Sequence, residues 1–336
     1  LNRRDKSRPF MLWSSWIKPH PPFESPAPWS KLYRPEEVGH PYRPEDGAEF
    51  LTLWNKIQNR YKWRDAGIDE NLLRTMRAAY LGCISFIDYN IGRVLAALGD
   101  EIDNTLIVFA SDHGELLGDY NSVGKRSMID ASVRIPLIVR WPKNFRAGTQ
   151  CDTPVSLLDI RPTFLAAAGI ADDHSGVHGS DLATIAAGAE KDRAVMSQFQ
   201  KKDLGLYMLA TRDRKYVYSA ADRKELLLDI SGDALSTEEK IMDAPAETAA
   251  FRKQLTGILE NDGIEYASGN GGWKEYPAPD LGLDDPDCGL IYQDSPRGGE
   301  VLQERINELP EGYRRKVYKT GSDAIKLIKD AIKLTK

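Results

Sequence analysis

Five consecutive residues, Ser111-Asp112-His113-Gly114-Glu115, set a carboxylate, an imidazole and a glycine directly after an apolar run. Asp112 and His113 side by side can both ligate one divalent ion if the backbone bends there, and Gly114 permits such a bend. A capped turn is the competing reading, because Asp and Gly are common turn residues. A short way on stands Gly124-Lys125-Arg126. An ammonium at Lys125, with Arg126 beside it, suits an anionic substrate oxygen; the alternative is a pair of solvated cations. His20 lies in Lys18-Pro19-His20-Pro21-Pro22. An imidazole held in a stiff proline loop is a candidate general acid for a departing oxygen, and otherwise a histidine bonded to backbone.

The remaining polar residues carry less. His40 sits among prolines in the surface loop, while His174 and His178 lie in a Gly/Asp-rich turn and read as structural. Asp130 and Arg134 either orient Lys125 or touch substrate, and the residue types do not separate the two. Asp88 lies on a helix and would fix a loop. Asp284, Asp285 and Asp287 lack the ligand spacing of a calcium loop and read as a solvated arm.

The elements that must position these groups follow from periodicity. Residues 10–13 read as a short buried strand, followed by a proline-rich loop to about Pro44 with Trp29 and Tyr33 as anchors. The whole stretch 20–68 is expected to be loop that shapes specificity. From Asp69, apolar residues recur at steps of three and four up to Leu98, predicting one long amphipathic helix with Asp69 as N-cap and Gly99 as stop. Residues 105–110 and 135–139 are apolar, β-branched runs of the kind buried on both faces of a sheet. Residues 156–168 are again helical.

This grammar predicts an α/β fold: a layered, largely parallel sheet with helices on both faces. Ligands of such sheets bind beyond the carboxyl ends of strands, where Asp112 and His113 fall. After about Arg193 the segments 206–210, 215–219 and 225–230 predict a smaller antiparallel sheet, with a helix from Pro245 to about Leu259 packed on it. The expected domains are therefore 1–192 (α/β), 193–262 (antiparallel subdomain) and 263–336, an irregular arm with helices at 300–309 and 322–334.

Composition bounds the function. The 336 residues are 41% hydrophobic and 28% charged, as in a globular protein, and a net charge of −5 gives no footprint for nucleic acid. No run of about 18 apolar residues is present, so neither a transmembrane helix nor a membrane partner is expected. Cys83, Cys151 and Cys288 form neither a disulfide framework nor a CxxC site, and leave the compartment open.

In order along residues 9–230, these pieces resemble the sulfatase family of the alkaline-phosphatase-like superfamily. The ordered set comprises Lys18-Pro19-His20-Pro21-Pro22-Phe23, the helix with Ile87-Asp88 and Gly92-Arg93-Val94, and the strand leading into Ser111-Asp112-His113-Gly114-Glu115-Leu116-Leu117-Gly118-Asp119. Gly124-Lys125, Val133-Arg134-Ile135-Pro136 and Leu158-Asp159-Ile160-Arg161-Pro162-Thr163 complete it. The resemblance implies hydrolysis of a small-molecule or carbohydrate sulfate ester. It implies Ca²⁺, or another divalent metal, held partly by Asp112 and His113. Lys125 would contact the sulfate with Arg126 nearby, and His20 would serve the leaving group. It also implies a formylglycine nucleophile whose hydrated aldehyde attacks sulfur, and a periplasmic or secreted location.

The motif that generates formylglycine, Cys/Ser-x-Pro/Ala-x-Arg, does not occur: no cysteine is followed by it, and Ser7-Arg8-Pro9-Phe10 leads to Met11 rather than Arg. The expectation is a chain that carries the C-terminal two-thirds of a sulfatase, with the nucleophile and two metal-binding aspartates on a preceding part, inactive alone and a candidate homo-oligomer through its C-terminal arm. A phosphonate monoester or phosphodiester hydrolase of the same superfamily, and a non-catalytic subunit on this fold, are the alternatives.

Overall fold

The periodicity that starts at Asp69 is realised as a helix from Glu70 to Ala96, capped by the Asp69 carboxylate, which accepts from the Leu72 N–H at 3.0 Å. Gly99, with φ +53°, lies where the helical path ends. The computed structural model describes residues 1, 3–63, 68–171, 178–232 and 239–279. Its α-helices are α1 (Gly47–Phe50), α2 (Leu53–Trp63), α3 (Glu70–Ala96), α4 (Asp130–Val133), α5 (Ile160–Ala167), α6 (Leu182–Ala186) and α7 (Pro245–Asn261). Its strands are β1 (Ile107–Ala110), β2 (Leu137–Arg140), β3 (Val195–Phe199), β4 (Leu206–Ala210), β5 (Arg214–Ser219), β6 (Lys224–Asp229), β7 (Lys240–Ile241), β8 (Ser268–Gly269) and β9 (Gly272–Trp273). The architecture is mixed α/β, with antiparallel sheets and helices.

Two interleaved units divide the chain: unit 1 comprises residues 1–42, 68–113 and 135–193, and unit 2 the remainder. In unit 1 the proline-rich segment is fastened to α3. Trp29 packs its ring against Phe86 and Tyr89, each 5.1 Å between centroids, and the Tyr33 hydroxyl meets Ser85 Oγ at 2.8 Å. Both residues are therefore the anchors expected. β1 and β2 pair antiparallel, with Phe109 opposite Ile138, which corrects the parallel arrangement expected for them. A parallel return needs a crossover, usually a full helix, and the chain between these strands holds only the single turn of α4 and a short 3₁₀ turn.

Nor are these strands buried on both faces, since Ile138 is 61% exposed. Residues 10–13 form no strand, and Met11 and Trp13 are exposed. β1 and β2 hydrogen-bond to each other, and residues 10–13 pair with neither, so the apolar run forms no ladder.

In unit 2 the strand order is β3-β4-β5-β6-β7, antiparallel throughout, close to the expected segments. Leu255 and Leu259 of α7 pack on Tyr207, Leu209, Tyr216 and Leu227 of the sheet, which gives the unit its core. Residues 43–63 are not loop: α1 and α2 form there, because Phe50, Trp54 and Ile57 each bury an apolar side chain. Residues 263–279 are likewise more regular than an arm. Asn270 and Gly271 (φ +55° and +75°) make the two-residue turn of the hairpin β8–β9, and Trp273 stacks 4.1 Å from Tyr218. The helices expected at 300–309 and 322–334, His174, Cys288 and the acidic cluster 284–287 lie outside the described residues.

Candidate active site

β1 delivers Asp112 and His113 two and three residues beyond its last member. Asp112 Oδ1 accepts from the His113 N–H at 3.0 Å, and Oδ2 lies 3.4 Å from His113 Nε2. Ser111 Oγ donates to the His113 carbonyl at 2.8 Å, which tightens the turn. The Asp112 side chain is 81% exposed and that of His113 37%. Gly114 has a different reason from the bend expected of it: its φ is not positive, but an added Cβ would stand 2.0 Å from the Ala131 carbonyl oxygen. Its N–H also donates to the Ser132 carbonyl at 2.7 Å, so the close approach of α4 requires glycine.

The donor pair suits a divalent ion in part. An oxygen and a nitrogen 3.4 Å apart have about the spacing of adjacent ligands at roughly 2.4 Å from one ion. Two donors fall short of a coordination sphere, and among the described residues no group of three or more His, Cys, Asp or Glu could hold a metal.

His20, also in unit 1, is exposed, with Nδ1 2.7 Å from the Pro21 carbonyl oxygen. A carbonyl only accepts, so Nδ1 carries the hydrogen and Nε2 is the nitrogen through which the ring can exchange a proton. His40 lies beside Arg74 and Glu70, and the His178 backbone carbonyl accepts from Arg193. Asp159, fully buried, pairs through both oxygens with Arg193 and accepts from the N–H groups of Ser156 and Ser180. Asp88 is exposed on α3, and its neighbour Asn90 is the one turned inward, donating to the Phe86 carbonyl at 2.7 Å.

Lys125 and Arg126 belong to unit 2. Their turn hangs from the polar stripe of α2. Gln58 Oε1 accepts from the Lys125 N–H at 2.9 Å and the Arg126 N–H at 3.0 Å, and its amide donates to the Arg126 carbonyl at 3.3 Å. At the next residue, Asn59 Oδ1 accepts from Ser122 Oγ and the Val123 N–H, and its amide donates to the Asn121 carbonyl. Glu115 closes the loop by accepting from the Gly124 N–H. Lys125 is half-buried and Arg126 only 7% exposed, so Arg126 is not a solvated cation. Gln58 and Asn59 fall in the stretch 20–68 that the sequence predicts as loop; amides at 55, 58 and 59 beside Trp54 and Ile57 are the signal that marks them.

Asp130 is held by Lys215 rather than by Lys125. Its Oδ1 accepts from the fully buried Lys215 ammonium at 2.6 Å, its backbone N–H donates to Glu239 at 2.9 Å, and Lys215 also pairs with Glu239. Arg134 stands 3.4 Å from the other Asp130 oxygen. Burial alone would depress the Lys215 ammonium, yet the charges of Glu239 and Asp130 hold it above the usual lysine range. Glu239 is raised, chiefly by burial and also by the Asp130 charge, against the lowering pull of the Lys215 ammonium.

A sequence model of the sulfatase family matches residues 1–170, a span that holds Asp112, His113, Lys125, Arg126 and His20. The chain belongs to the sulfatase family. This sulfatase chain is 29% identical over 296 residues to an arylsulfatase of Clostridium perfringens, covering 84% of the chain and 60% of the relative. It is 36% identical over 180 residues to the multifunctional alkaline phosphatase superfamily protein PehA of Trinickia caryophylli, covering 49% of the chain and 35% of that protein. A solved phosphonate monoester hydrolase from Silicibacter pomeroyi superimposes with a TM-score of 0.63 at 25% identity, over 79% of the chain and 59% of its own. The sulfatase chain thus spans 60% or less of the length of each.

Proposed function

We propose that this chain serves hydrolysis of a sulfate ester, a small-molecule or carbohydrate one, with Asp112 and His113 as ligands of Ca²⁺ or another divalent ion. The observation that carries the reading is the family match across 1–170, together with a carboxylate and an imidazole set 3.4 Å apart at a strand end. A bound divalent ion supplies positive charge for the oxygens of the ester group. Lys125 adds an ammonium to the same class of oxygen, and the guanidinium of Arg126 lies next in the chain. His20 holds its Nδ1 hydrogen on the Pro21 carbonyl and offers Nε2 for proton transfer to the departing alcohol. A formylglycine, from residues other than those of this chain, would supply the attacking oxygen, in keeping with a chain that spans 60% of the arylsulfatase. Alone, the 336 residues are expected to bind Ca²⁺ weakly and turn over nothing.

The fold shared with a phosphonate monoester hydrolase favours a second reading, hydrolysis of a phosphonate monoester or phosphodiester. Parallel assays of aryl sulfate and aryl phosphonate with the full-length enzyme separate the two. Turnover of sulfate is expected, and turnover of phosphonate alone would overturn the first reading.

A further inference from the structure

We propose that Gln58 is the positioning residue of the Gly124-Lys125-Arg126 turn, setting the direction in which Lys125 meets an anionic ester group; this rests on the role of Lys125 given above. Gln58 is 2% exposed on α2, and its one planar amide engages three backbone groups of two successive residues. An acceptor shared by the N–H groups of Lys125 and Arg126 fixes the peptide plane between them, and with it the Cα–Cβ directions of both side chains. Gly124 is matched to that amide: at φ +84°, a Cβ there would lie 2.2 Å from Gln58 Oε1, so an amide at 58 and a side chain at 124 exclude each other.

The neighbouring segment is held by separate partners, Asn59 at Asn121 to Val123 and Lys215 at Asp130, so Gln58 acts on the two cationic residues themselves. A lysine stem is flexible, and restricting where it starts is how a buried amide raises the fraction of molecules whose ammonium is in place.

The test is a double-mutant cycle in the full-length enzyme, assayed with aryl sulfate and aryl phosphonate. Gln58→Met, of similar length but without donor or acceptor, is expected to lower kcat/KM by about ten- to a hundred-fold. Gln58→Glu keeps the acceptor for both N–H groups and should restore most of the loss. In a Lys125→Ala background, Gln58→Met should cost less than about twofold more, because residues acting through one another are non-additive. A harmless Gln58→Met, or losses that multiply in the double variant, would overturn the inference while leaving Lys125 its role. A neutral Lys125→Ala would remove the reading on which it rests, and the inference with it. Should Gln58→Met fail to fold, Gln58→Asn takes its place in the cycle, withdrawing the oxygen by one methylene, with the same two outcomes.

Discussion

Asp112 and His113 show how far a residue pair can be taken on its chemistry. Their types and adjacency already suggest a metal, and the 3.4 Å separation of Oδ2 and Nε2 adds that both can face one ion. Asp112→Asn and His113→Ala are each expected to weaken Ca²⁺ binding by the 336-residue chain at least about tenfold, read by titration calorimetry. Unchanged affinity in both variants would place the ion elsewhere. His20 was legible as a polar residue in a stiff loop, but its tautomer was not, since that depends on the Pro21 carbonyl lying 2.7 Å from Nδ1. Arg126 was legible only as a cation; burial to 7% is a property of its surroundings.

At the scale of elements, local rules performed best where the chain is its own partner. α3 follows from Asp69 and a repeat of three and four, and Asp69→Ala should cost about 1 kcal/mol in urea unfolding by removing the bond to the Leu72 N–H. β4 to β6 follow from alternating apolar runs and turns. Elements whose identity depends on a distant partner were missed. Residues 10–13 are apolar but unpaired, β1 and β2 run antiparallel, and α2 is helix because Trp54 and Ile57 bury themselves while Gln58 and Asn59 bind a loop some sixty residues on. Gly114→Ala should destabilise by about 1–3 kcal/mol, as the new Cβ meets the Ala131 carbonyl oxygen; a change below a few tenths would mean that α4 yields freely.

Across unit 2 as a whole, two charge groups tie the segments together, one buried around Lys215 and one half-buried around Glu225. Lys215→Met leaves Asp130 and Glu239 as buried carboxylates without their ammonium, and should cost about 3–5 kcal/mol in unfolding followed by near-ultraviolet circular dichroism. Because the folded state holds Lys215 above its ordinary 10.5, its contribution is complete below that pH and fades only in strong alkali. Glu225 behaves in the opposite sense. Burial would raise it, but the bonds from Arg252 and the Tyr216 hydroxyl outweigh burial and hold it below its ordinary 4.5. Its contribution is therefore present above about pH 4.5 and lost as the pH falls further. Glu225→Gln should make stability less steeply dependent on pH in that acid range; an unaltered acid limb would assign the loss to other carboxylates.

By itself the sequence determined the family, the residue types at the candidate site and the elements stabilised by neighbours a few positions away. These depend on side-chain chemistry and on the short periods of helix and strand, which are written locally. Only the tertiary structure decided that Asp130 serves Lys215, that Gly114 answers to α4 and that Gln58 carries the Lys125 turn. Each of these rests on atoms brought within hydrogen-bonding or van der Waals distance by the fold, and no spacing along the chain encodes such a meeting.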